Sequence, residues 1–318
     1  MLKALRFVQG AVAKKDYMPV LTHFRINGGF IKSYNGVLSL CSPIPLDIDA
    51  NPIATGLLKV IRACDETIAI HLTPKGRLSV KSGNFHAFVE CTGETFPEVM
   101  PQGESVALQP GFLDILKQLT PLTAEDASRP WAQGILFKEF SAFATNNVVL
   151  VERWLGYNFP VEINIPKPAL IEMLRINEDP ERMQVSESSC TFFYPNNRWL
   201  LTTTYSTKWP DVSRILGMEC TPSDTPPGLW DGVRKLVPFT DEFETLFLSN
   251  ERVHTHREDD IGASDVVPKL AIEDPLAVNI KHFLLLDGIA AQIAFAKAPR
   301  PIMFFGENLR GAILGMAR

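Results

Sequence analysis

A long-range internal repeat constrains the fold of this chain more than any other feature of its sequence. The phrase TFPEV at residues 95–99 returns 113 positions later as KWPDV at residues 208–212. The same offset aligns LLKVIR at residues 57–62 with LIEMLR at residues 170–175, and a second step reaches FLLLDG at residues 283–288. Solenoid repeats have periods of about 20–50 residues, so a period this long predicts three copies of a whole domain.

Each copy has the same predicted order of elements, in which helices alternate with groups of short strands. Residues 66–91, 181–204 and 292–314 alternate apolar and polar side chains and contain turn residues such as Gly, Asn and Pro, which is typical of antiparallel strands. Helices with apolar residues at helical spacing precede these segments. The sequence therefore predicts an α+β chain with Pro- and Gly-containing linkers near residues 100–105 and 217–228. The predicted domains are residues 1–102, residues 103–217 and a shortened third domain at residues 218–318.

Composition favours a globular protein of the cytoplasm. The chain has 318 residues, of which 46% are hydrophobic and 21% charged, with a net charge of −5. Its five cysteines are widely spaced and form no metal-binding pattern, which favours reduced thiols. The basic N-terminal segment at residues 1–15 runs on into a strand-like segment, so we interpret it as a helix and not as a targeting signal. The most apolar segment, residues 277–296, contains Lys281, His282 and Asp287, so we expect a buried element and no membrane span.

The sequence offers little for catalysis, cofactors or metals. It contains no GxGxxG, P-loop, GxSxG or HExxH motif. The segment VHTHREDD at residues 253–260 brings two histidines close to three acidic residues, but a metal site needs three or four converging ligands. We interpret this segment as a solvated acidic loop. The sequence therefore predicts a protein that is not an enzyme, needs no cofactor and holds no metal, and an enzyme with three structural repeats is the least favoured alternative.

Four passages, in this order along the chain, resemble the beta-clamp family, the bacterial and phage DNA-polymerase sliding clamps. They are MPVLTHFRI at residues 18–26, SGNFHAFVECTGETFPEV at residues 82–99, QGILFKEFSAFATNNVVLVE at residues 133–152, and FPVEINIPKPALIEMLR at residues 159–175 followed by WPDVSRIL at residues 209–216. The match runs nearly end to end, and the triplication adds to it. The chain resembles a divergent, phage-type member.

This resemblance implies three repeated clamp-type domains, each with two helices packed on antiparallel sheets. Two such chains would form a ring of six domains that encircles duplex DNA without reading its sequence. The ring would tether a replicative DNA polymerase, would be opened by a clamp-loader ATPase, and would work in the cytoplasm without contacting a membrane. The alternative is a scaffold or decoy of the same fold that does not close around DNA.

A sliding ring needs a basic inner surface lined by helices, because attraction to phosphates does not depend on sequence. The six predicted helices, residues 2–15, 54–63, 110–119, 166–176, 229–236 and 279–291, carry twelve basic and four acidic residues, whereas the rest of the chain has nineteen basic and thirty-two acidic residues. We therefore predict DNA contacts from these helices, and from a loop where the family places DNA-touching residues. In that loop Trp131 is predicted either to contact DNA, by stacking on an exposed base or lying along the backbone, or to pack on the domain surface. The predicted DNA-facing residues are Lys3, Arg6, Lys14, Lys15, Lys59, Arg62, Lys117, Arg129, Trp131, Lys167, Arg175, Arg234, Lys235 and Lys281.

The resemblance also implies one pocket for partner peptides between the second and third domains. Its predicted residues are Ala132, Thr145, Leu150, Pro210, Arg214, Ile215, Phe243, Asn279, His282, Leu314, Gly315 and Met316. The chain departs from the family pattern at Asn146-Asn147-Val148-Val149 and in its LGMAR ending, so we expect a hydrophobic slot for a short anchored peptide. Ring closure needs uncovered edge strands. The segments at residues 76–83 and 300–308 are the candidates for these strands.

Overall fold

The computed structural model describes residues 1–15, 18–126, 128–205, 207–257 and 261–316. Its helices form where apolar side chains recur at helical spacing, as on the third helix, where Phe112, Leu116 and Leu119 are fully buried. The α-helices of the described residues are α1 (Leu2–Val8), α2 (Ala54–Arg62), α3 (Phe112–Leu119), α4 (Lys167–Ile176), α5 (Ser213–Leu216), α6 (Leu229–Leu236) and α7 (Ile280–Leu284). Short 3-10 helices span Gln9–Ala11, Pro19–Thr22, Thr120–Leu122, Pro130–Gln133 and Val237–Phe239.

All six predicted helices are confirmed, but two of them are shorter than expected. Helix α1 ends at Val8 and passes into a 3-10 turn around Gly10, so Lys14 and Lys15 lie beyond it. A side chain at residue 10 would overlap the carboxylate of Glu172, which explains why glycine stands there. Helix α7 ends at Leu284 and not near residue 291.

The strands pair in antiparallel ladders throughout the described residues. The three predicted groups of three strands are confirmed as β5-β6-β7, β12-β13-β14 and β20-β21-β22. The α+β prediction is also confirmed. The strands are β1 (Arg25–Asn27), β2 (Phe30–Tyr34), β3 (Leu38–Pro43), β4 (Asn51–Pro52), β5 (Ile68–Leu72), β6 (Leu78–Ser82), β7 (Phe85–Val89), β8 (Cys91–Thr92), β9 (Glu104–Ala107), β10 (Gly134–Thr145), β11 (Val149–Pro166), β12 (Arg182–Val185), β13 (Ser189–Tyr194), β14 (Arg198–Thr203), β15 (Ser223–Asp224), β16 (Thr245–Ser249), β17 (Arg252–His254), β18 (Ser264–Val266), β19 (Leu276–Asn279), β20 (Gln292–Ala294), β21 (Ile302–Gly306) and β22 (Leu309–Ile313).

The chain forms two compact units, each built from two separate stretches of sequence. The first unit is Met1–Asp114 with Pro168–Tyr205, and the second is Ile115–Lys167 with Ser206–Arg318. The first contains a seven-stranded sheet in the order β1-β2-β3-β14-β13-β12-β9, a three-stranded sheet β5-β6-β7 and the pair β4-β8. The second contains a six-stranded sheet in the order β10-β11-β22-β21-β20-β15 and a four-stranded sheet β18-β17-β16-β19. The three domain boundaries remain a prediction.

Each large sheet joins strands that are far apart in the sequence. In the first unit β14 pairs with β3, and in the second unit β22 pairs with β11. In both cases the last strand of a three-stranded group lies against a strand of the preceding repeat. At the two ends of the series, β7 is an edge strand of its sheet, and β17, the hairpin counterpart of β3 and β11, is covered by the edge strand β18.

The prediction that residues 76–83 and 300–308 provide the ring-closing strands is therefore wrong. Residues 76–83 contain β6, which lies between β5 and β7, and residues 300–308 contain β21, which lies between β20 and β22. Hydrogen bonds to both neighbours leave neither strand free to pair with another chain. No helix in the described part of the chain is long and apolar enough to cross a membrane.

Candidate functional site

The predicted peptide pocket is built on the hairpin between β10 and β11 in the second unit. Thr145 and Leu150 face each other across this hairpin, so both lie in strands, next to the turn. Asn146 closes the turn, because its Oδ1 accepts hydrogen bonds from the backbone N–H of Val148 at 3.0 Å and of Val149 at 2.7 Å. The buried Thr145 and Leu150 thus form a fixed floor.

The C-terminal tail lies along this floor. The backbone N–H of Leu314 donates to the carbonyl of Val148 at 2.9 Å, and that of Met316 donates to the carbonyl of Ala277 at 2.8 Å. These two bonds hold Leu314, Gly315 and Met316 in an extended path, while the Leu314 side chain stays 50% exposed. The predicted hydrophobic slot would lie between this exposed leucine and the buried floor.

Helix α7 joins the slot through its first turn. Asn279 caps the helix, because its Oδ1 accepts from the backbone N–H of His282 at 3.1 Å, and its Nδ2 donates to the carbonyl of Phe243 at 3.2 Å. The His282 Nδ1 and the Asn146 Nδ2 are 3.1 Å apart, which ties the helix to the hairpin. Phe243 is 65% exposed.

Three further predicted residues lie on the segment that leads into α5. Pro210, Arg214 and Ile215 are exposed, whereas Leu216 is buried and anchors the short helix. Ala132 differs from them: it is fully buried in the 3-10 turn Pro130–Gln133, so its side chain has no surface from which to touch a peptide. We therefore place Ala132 outside the set of contact residues.

The sequence did not predict a polar patch that lies next to the slot. A cavity of about 360 Å³ lies beneath the repeated Trp-Pro-Asp phrase and contains Phe143, Trp209, Glu152 and Arg310 in its lining. Glu152 and Arg310 form an ion pair at 2.6 Å between the Arg310 Nε and the Glu152 Oε2. The one signal in the sequence was a charged residue, Glu152, within the apolar run of β11.

The predicted DNA-facing residues divide into two groups by their ion pairs. Lys3, Arg6, Lys59 and Arg62 are exposed on α1 and α2, and Lys14 and Lys15 are exposed after α1; among the described residues none of these six pairs with a carboxylate. Lys117 is exposed on α3. The second group is already paired: Lys167 with Glu125, Arg175 with Glu172, Arg234 with Asp231 and Asp287, Lys235 with Asp265, and Lys281 with Glu244. The cationic surface without carboxylate partners is therefore most pronounced on α1 and α2.

Arg175 has a structural role that corrects its assignment to the DNA-facing set. Its Nη1 donates to the carbonyl of Arg6 at 2.9 Å and its Nη2 to the carbonyl of Phe7 at 2.8 Å, at the C-terminal end of α1. Its Nε donates to the Glu172 Oε2 at 2.8 Å, and the Glu172 side chain is only 7% exposed. Every nitrogen of this guanidinium is thus used inside the first unit.

Trp131 packs on the protein surface, which is the second of its two predicted roles. Its ring meets Trp209 edge to face at a centroid distance of 5.1 Å, and Trp209 lies 6.3 Å from Phe143. Arg129 donates from its Nη1 to the Oδ1 of Asn147 at 3.1 Å. Contact of Trp131 with DNA stays a prediction.

The described residues contain no group of three or more side chains that could hold a metal ion. His254 ends β17, and His256 lies beyond it. Glu258, Asp259 and Asp260, which completed the acidic segment of the sequence, lie outside the described residues.

We predict that His282 makes the stability of the second unit depend on pH. Burial lowers the pKa of His282 below its ordinary value of 6.5, and the nearby Glu244 opposes this shift. The unfolded chain then takes up a proton more readily than the folded one, so stability falls as the pH drops below about 6.5. His282→Gln should flatten the change in melting temperature between pH 7.5 and 5.5. An unchanged slope in this variant would contradict the prediction.

Comparison with known proteins gives a likeness in structure alone. The sequence matches no protein-family profile and no curated protein. Among solved structures, the chain is similar to the sliding clamp, DNA polymerase III subunit beta, of Bartonella birtlesii at 15% identity and a TM-score of 0.85. It is also similar to the DNA polymerase sliding clamps of Bacillus subtilis, at 16% identity and a TM-score of 0.82, and Pseudomonas aeruginosa, at 17% and 0.83. Each match covers 100% of this chain and 97% of the other. The chain therefore has the fold of the bacterial beta sliding clamps, and the fold implied by the resemblance is confirmed.

Proposed function

We propose that this protein is a DNA sliding clamp, a homodimeric ring that encircles duplex DNA and tethers a replicative polymerase. The observation that carries the proposal is the end-to-end likeness to proteins named as DNA polymerase sliding clamps. In this role the protein holds another protein on DNA and performs no chemistry of its own. The domains of the ring would be residues 1–102, 103–217 and 218–318.

The pairing rule inside the chain supports a specific joint for the ring. Strand β14 pairs with β3 and β22 pairs with β11. The hairpin counterpart of β3 and β11 in the third repeat is β17, and β18 lies on its open side as the edge strand. A joint on this side of the sheet would therefore pair β7 of one chain with β18 of the other. Both are edge strands, and both expose large apolar side chains: Phe88 is 56% and Val266 is 69% exposed. Uncovered edges with exposed apolar side chains are ready for pairing, and two identical head-to-tail joints close a dimer.

The surface that faces DNA would be centred on α1 and α2. Lys3 and Arg6 are three residues apart on α1, and Lys59 and Arg62 repeat this spacing on α2, so each pair lies on one helix face. Because these residues have no carboxylate partner among the described residues, their charge remains available to phosphates. Lys14 and Lys15 would add to this surface, and Lys117 would contribute a DNA contact from the second unit.

Removing these charges should weaken the hold on DNA while the ring stays intact. We expect the fourfold variant Lys3→Ala, Arg6→Ala, Lys59→Ala, Arg62→Ala to lower the slope of log affinity against log salt by about 0.9 for each phosphate that is no longer neutralised. The matched control also removes four charges, those of Lys167, Arg234, Lys235 and Lys281, which are already paired with carboxylates, and should change the slope less. Equal slopes for the two variants would remove the basis for this surface.

The slot formed by Thr145, Leu150, Ile215 and Leu314 would bind peptides of partner proteins. The expected partners are the replicative DNA polymerase and the clamp-loader ATPase, in the cytoplasm. A slot with a buried floor and one exposed leucine suits a short segment that inserts an apolar side chain. Such a site captures several partners in turn through one common anchor.

The test of the ring is its topological link to DNA. We expect the purified protein to have twice the chain mass of 35.4 kDa, to stay on nicked circular DNA, and to leave when the circle is cut. A monomer that is indifferent to cutting would favour the alternative, a scaffold or decoy with the same fold that does not close around DNA.

A further inference from the structure

Side chains on one face of the six-stranded sheet form a continuous strip that is buried at Leu150 and Ala312, beside the predicted slot, and is exposed at Trp154. Leu150 faces Ala312 across β11 and β22, and two residues further along the same strands Glu152 faces Arg310. Alternate residues of a strand point to the same side, so these two pairs and Trp154 share one face. We call this surface the recognition strip and define it by Leu150, Ala312, Glu152, Arg310 and Trp154. It belongs wholly to the second unit.

The Arg310 guanidinium lies at the centre of the recognition strip, and the described residues hold it through its Nε alone. The Arg310 Nε donates to the Glu152 Oε2 at 2.6 Å, and the hydroxyl of Ser141 donates to the Glu152 Oε1 at 2.8 Å. Both carboxylate oxygens are thus engaged, and the Glu152 side chain is only 17% exposed. Among the described residues the two Nη groups of Arg310 have no hydrogen-bond partner, and the Arg310 side chain is 47% exposed. The arginine is therefore oriented in advance, with donors to spare.

Arg310 lines two cavities that flank the strip. One, of about 430 Å³, is lined by Trp154, Phe305, Asn308 and Leu309 in addition to the ion pair. The other is the cavity of about 360 Å³ beneath the Trp-Pro-Asp phrase. On the Trp154 side the lining holds no carboxylate other than Glu152, which is already neutralised by Arg310. An anion approaching from this side meets free guanidinium donors and aromatic rings.

The first unit supplies an internal comparison for the charged pair. In its large sheet, Cys41 of β3 faces Trp199 of β14 in the ladder that corresponds to Glu152 and Arg310. Both residues are buried, and together with Leu201 they form an apolar cluster. The sheet is thus built without charge at this position in one repeat. A charged pair that the fold does not require points to a role in recognition.

We propose that Arg310, positioned by Glu152 and Ser141, binds a carboxylate of the partner peptide whose apolar side chain fills the slot. This inference deepens the proposed function and rests on it. The two rows of the strip are about 7 Å apart, the length of two residues of an extended peptide. The peptide therefore carries its carboxylate two positions from the apolar anchor, either as an acidic side chain or as a free C-terminus. Arg310 acts as a specificity-determining residue of the site.

Synthetic tetrapeptides test this spacing directly. The probes are acetyl-Asp-Ser-Leu-Phe-amide and acetyl-Leu-Phe-Ser-Asp-amide, their Asn counterparts, and acetyl-Leu-Phe-Ser-Ala as free acid and as amide. Affinities are measured by NMR titration of the intact protein, with the Nε–H signal of Arg310 as a local readout. We expect at least one carboxylate peptide to bind about tenfold tighter than its neutral partner, as one charge-assisted hydrogen bond allows. The position of the preferred carboxylate distinguishes a side chain from a C-terminus.

Variants test whether the preference for carboxylate peptides depends on Arg310. Arg310→Gln should erase it while keeping the affinity for the neutral peptides, and Arg310→Lys should retain only part of it, because the fork geometry is lost. The control is Arg300→Gln, an exposed arginine that lies outside the recognition strip. Equal binding of charged and neutral peptides, no binding of any peptide, or a preference that survives Arg310→Gln would overturn the inference.

Retention on circular DNA separates this inference from the clamp function. If wild type and Arg310→Gln both stay on the circle but no carboxylate preference exists, the inference about the recognition strip fails and the clamp stands. If the preference exists but the protein does not stay on the circle, the inference about Arg310 stands and the clamp function fails.

Discussion

Phe88→Asp is expected to convert the ring into monomers and to abolish retention on circular DNA. Phe88 is 56% exposed on β7, an edge strand, and pairing with β18 of a second chain would bury its ring. A carboxylate in its place would be buried without a partner, and loss of an aromatic anchor at the centre of an interface costs about 2–4 kcal/mol. We expect dimer dissociation to become at least about 30-fold easier, as measured by sedimentation across a concentration series.

The chain offers controls for this experiment. Phe140 is 52% exposed on β10, which is neither of the two strands of the proposed joint, so Phe140→Asp should remain dimeric. Val266→Asp on the opposite edge should act like Phe88→Asp. The double variant Phe88→Asp, Val266→Lys places opposite charges at both joints and should recover part of the dimer. Dimers that persist in both single variants would rule out the joint between β7 and β18.

Arg175→Ala is expected to lower the free energy of unfolding by about 3 kcal/mol. Its removal leaves the Glu172 carboxylate buried without a cation and leaves the carbonyls of Arg6 and Phe7 without donors. Breaking a buried ion pair costs about 3–5 kcal/mol, and we take the lower end because the Arg175 side chain is 34% exposed. Urea unfolding followed by circular dichroism measures the change.

Two comparisons separate this structural role from contact with DNA. Arg62→Ala, on an exposed helix face, should leave stability within about 0.5 kcal/mol of wild type and instead reduce DNA retention. Glu172→Gln with Arg175→Met removes both charges and should be less destabilised than Arg175→Ala alone. If Arg175→Ala is as stable as wild type but weaker on DNA, Arg175 belongs to the DNA-facing surface after all.

Local sequence patterns were sufficient for the helices and for the three groups of strands. Apolar spacing such as Leu113, Leu116 and Leu119 identifies a helix face, because the side chains that must be buried lie within a few residues of one another. Turn residues between alternating segments identified the strand groups for the same reason. What these patterns could not give is the order of strands across a sheet. The edge strands were therefore assigned wrongly, since β6 and β21 have the same pattern as their neighbours.

Long-range partners explain the remaining differences at the candidate site. Arg175 was grouped with the DNA-facing residues because the carbonyls it binds belong to Arg6 and Phe7, at the other end of the first unit's sequence. The pair Glu152 and Arg310 was missed because 158 positions separate its members. The residues of the slot were predicted from the resemblance. The structure adds the hydrogen bonds that position them, made by Asn146, Asn279 and the C-terminal tail.

Because β3 pairs with β14, the first unit cannot be completed until the ribosome has synthesised β14. Cys41 and Trp199 are adjacent in the sheet, yet about 160 residues are synthesised between them. At about 5–20 residues per second, the edge of β3 stays open for about 10–30 s during each round of translation. Strand β11 waits equally long for β22. During this interval the nascent chain carries an unpaired strand edge, and a chain that stops before residue 198 cannot cover the edge of β3 with β14.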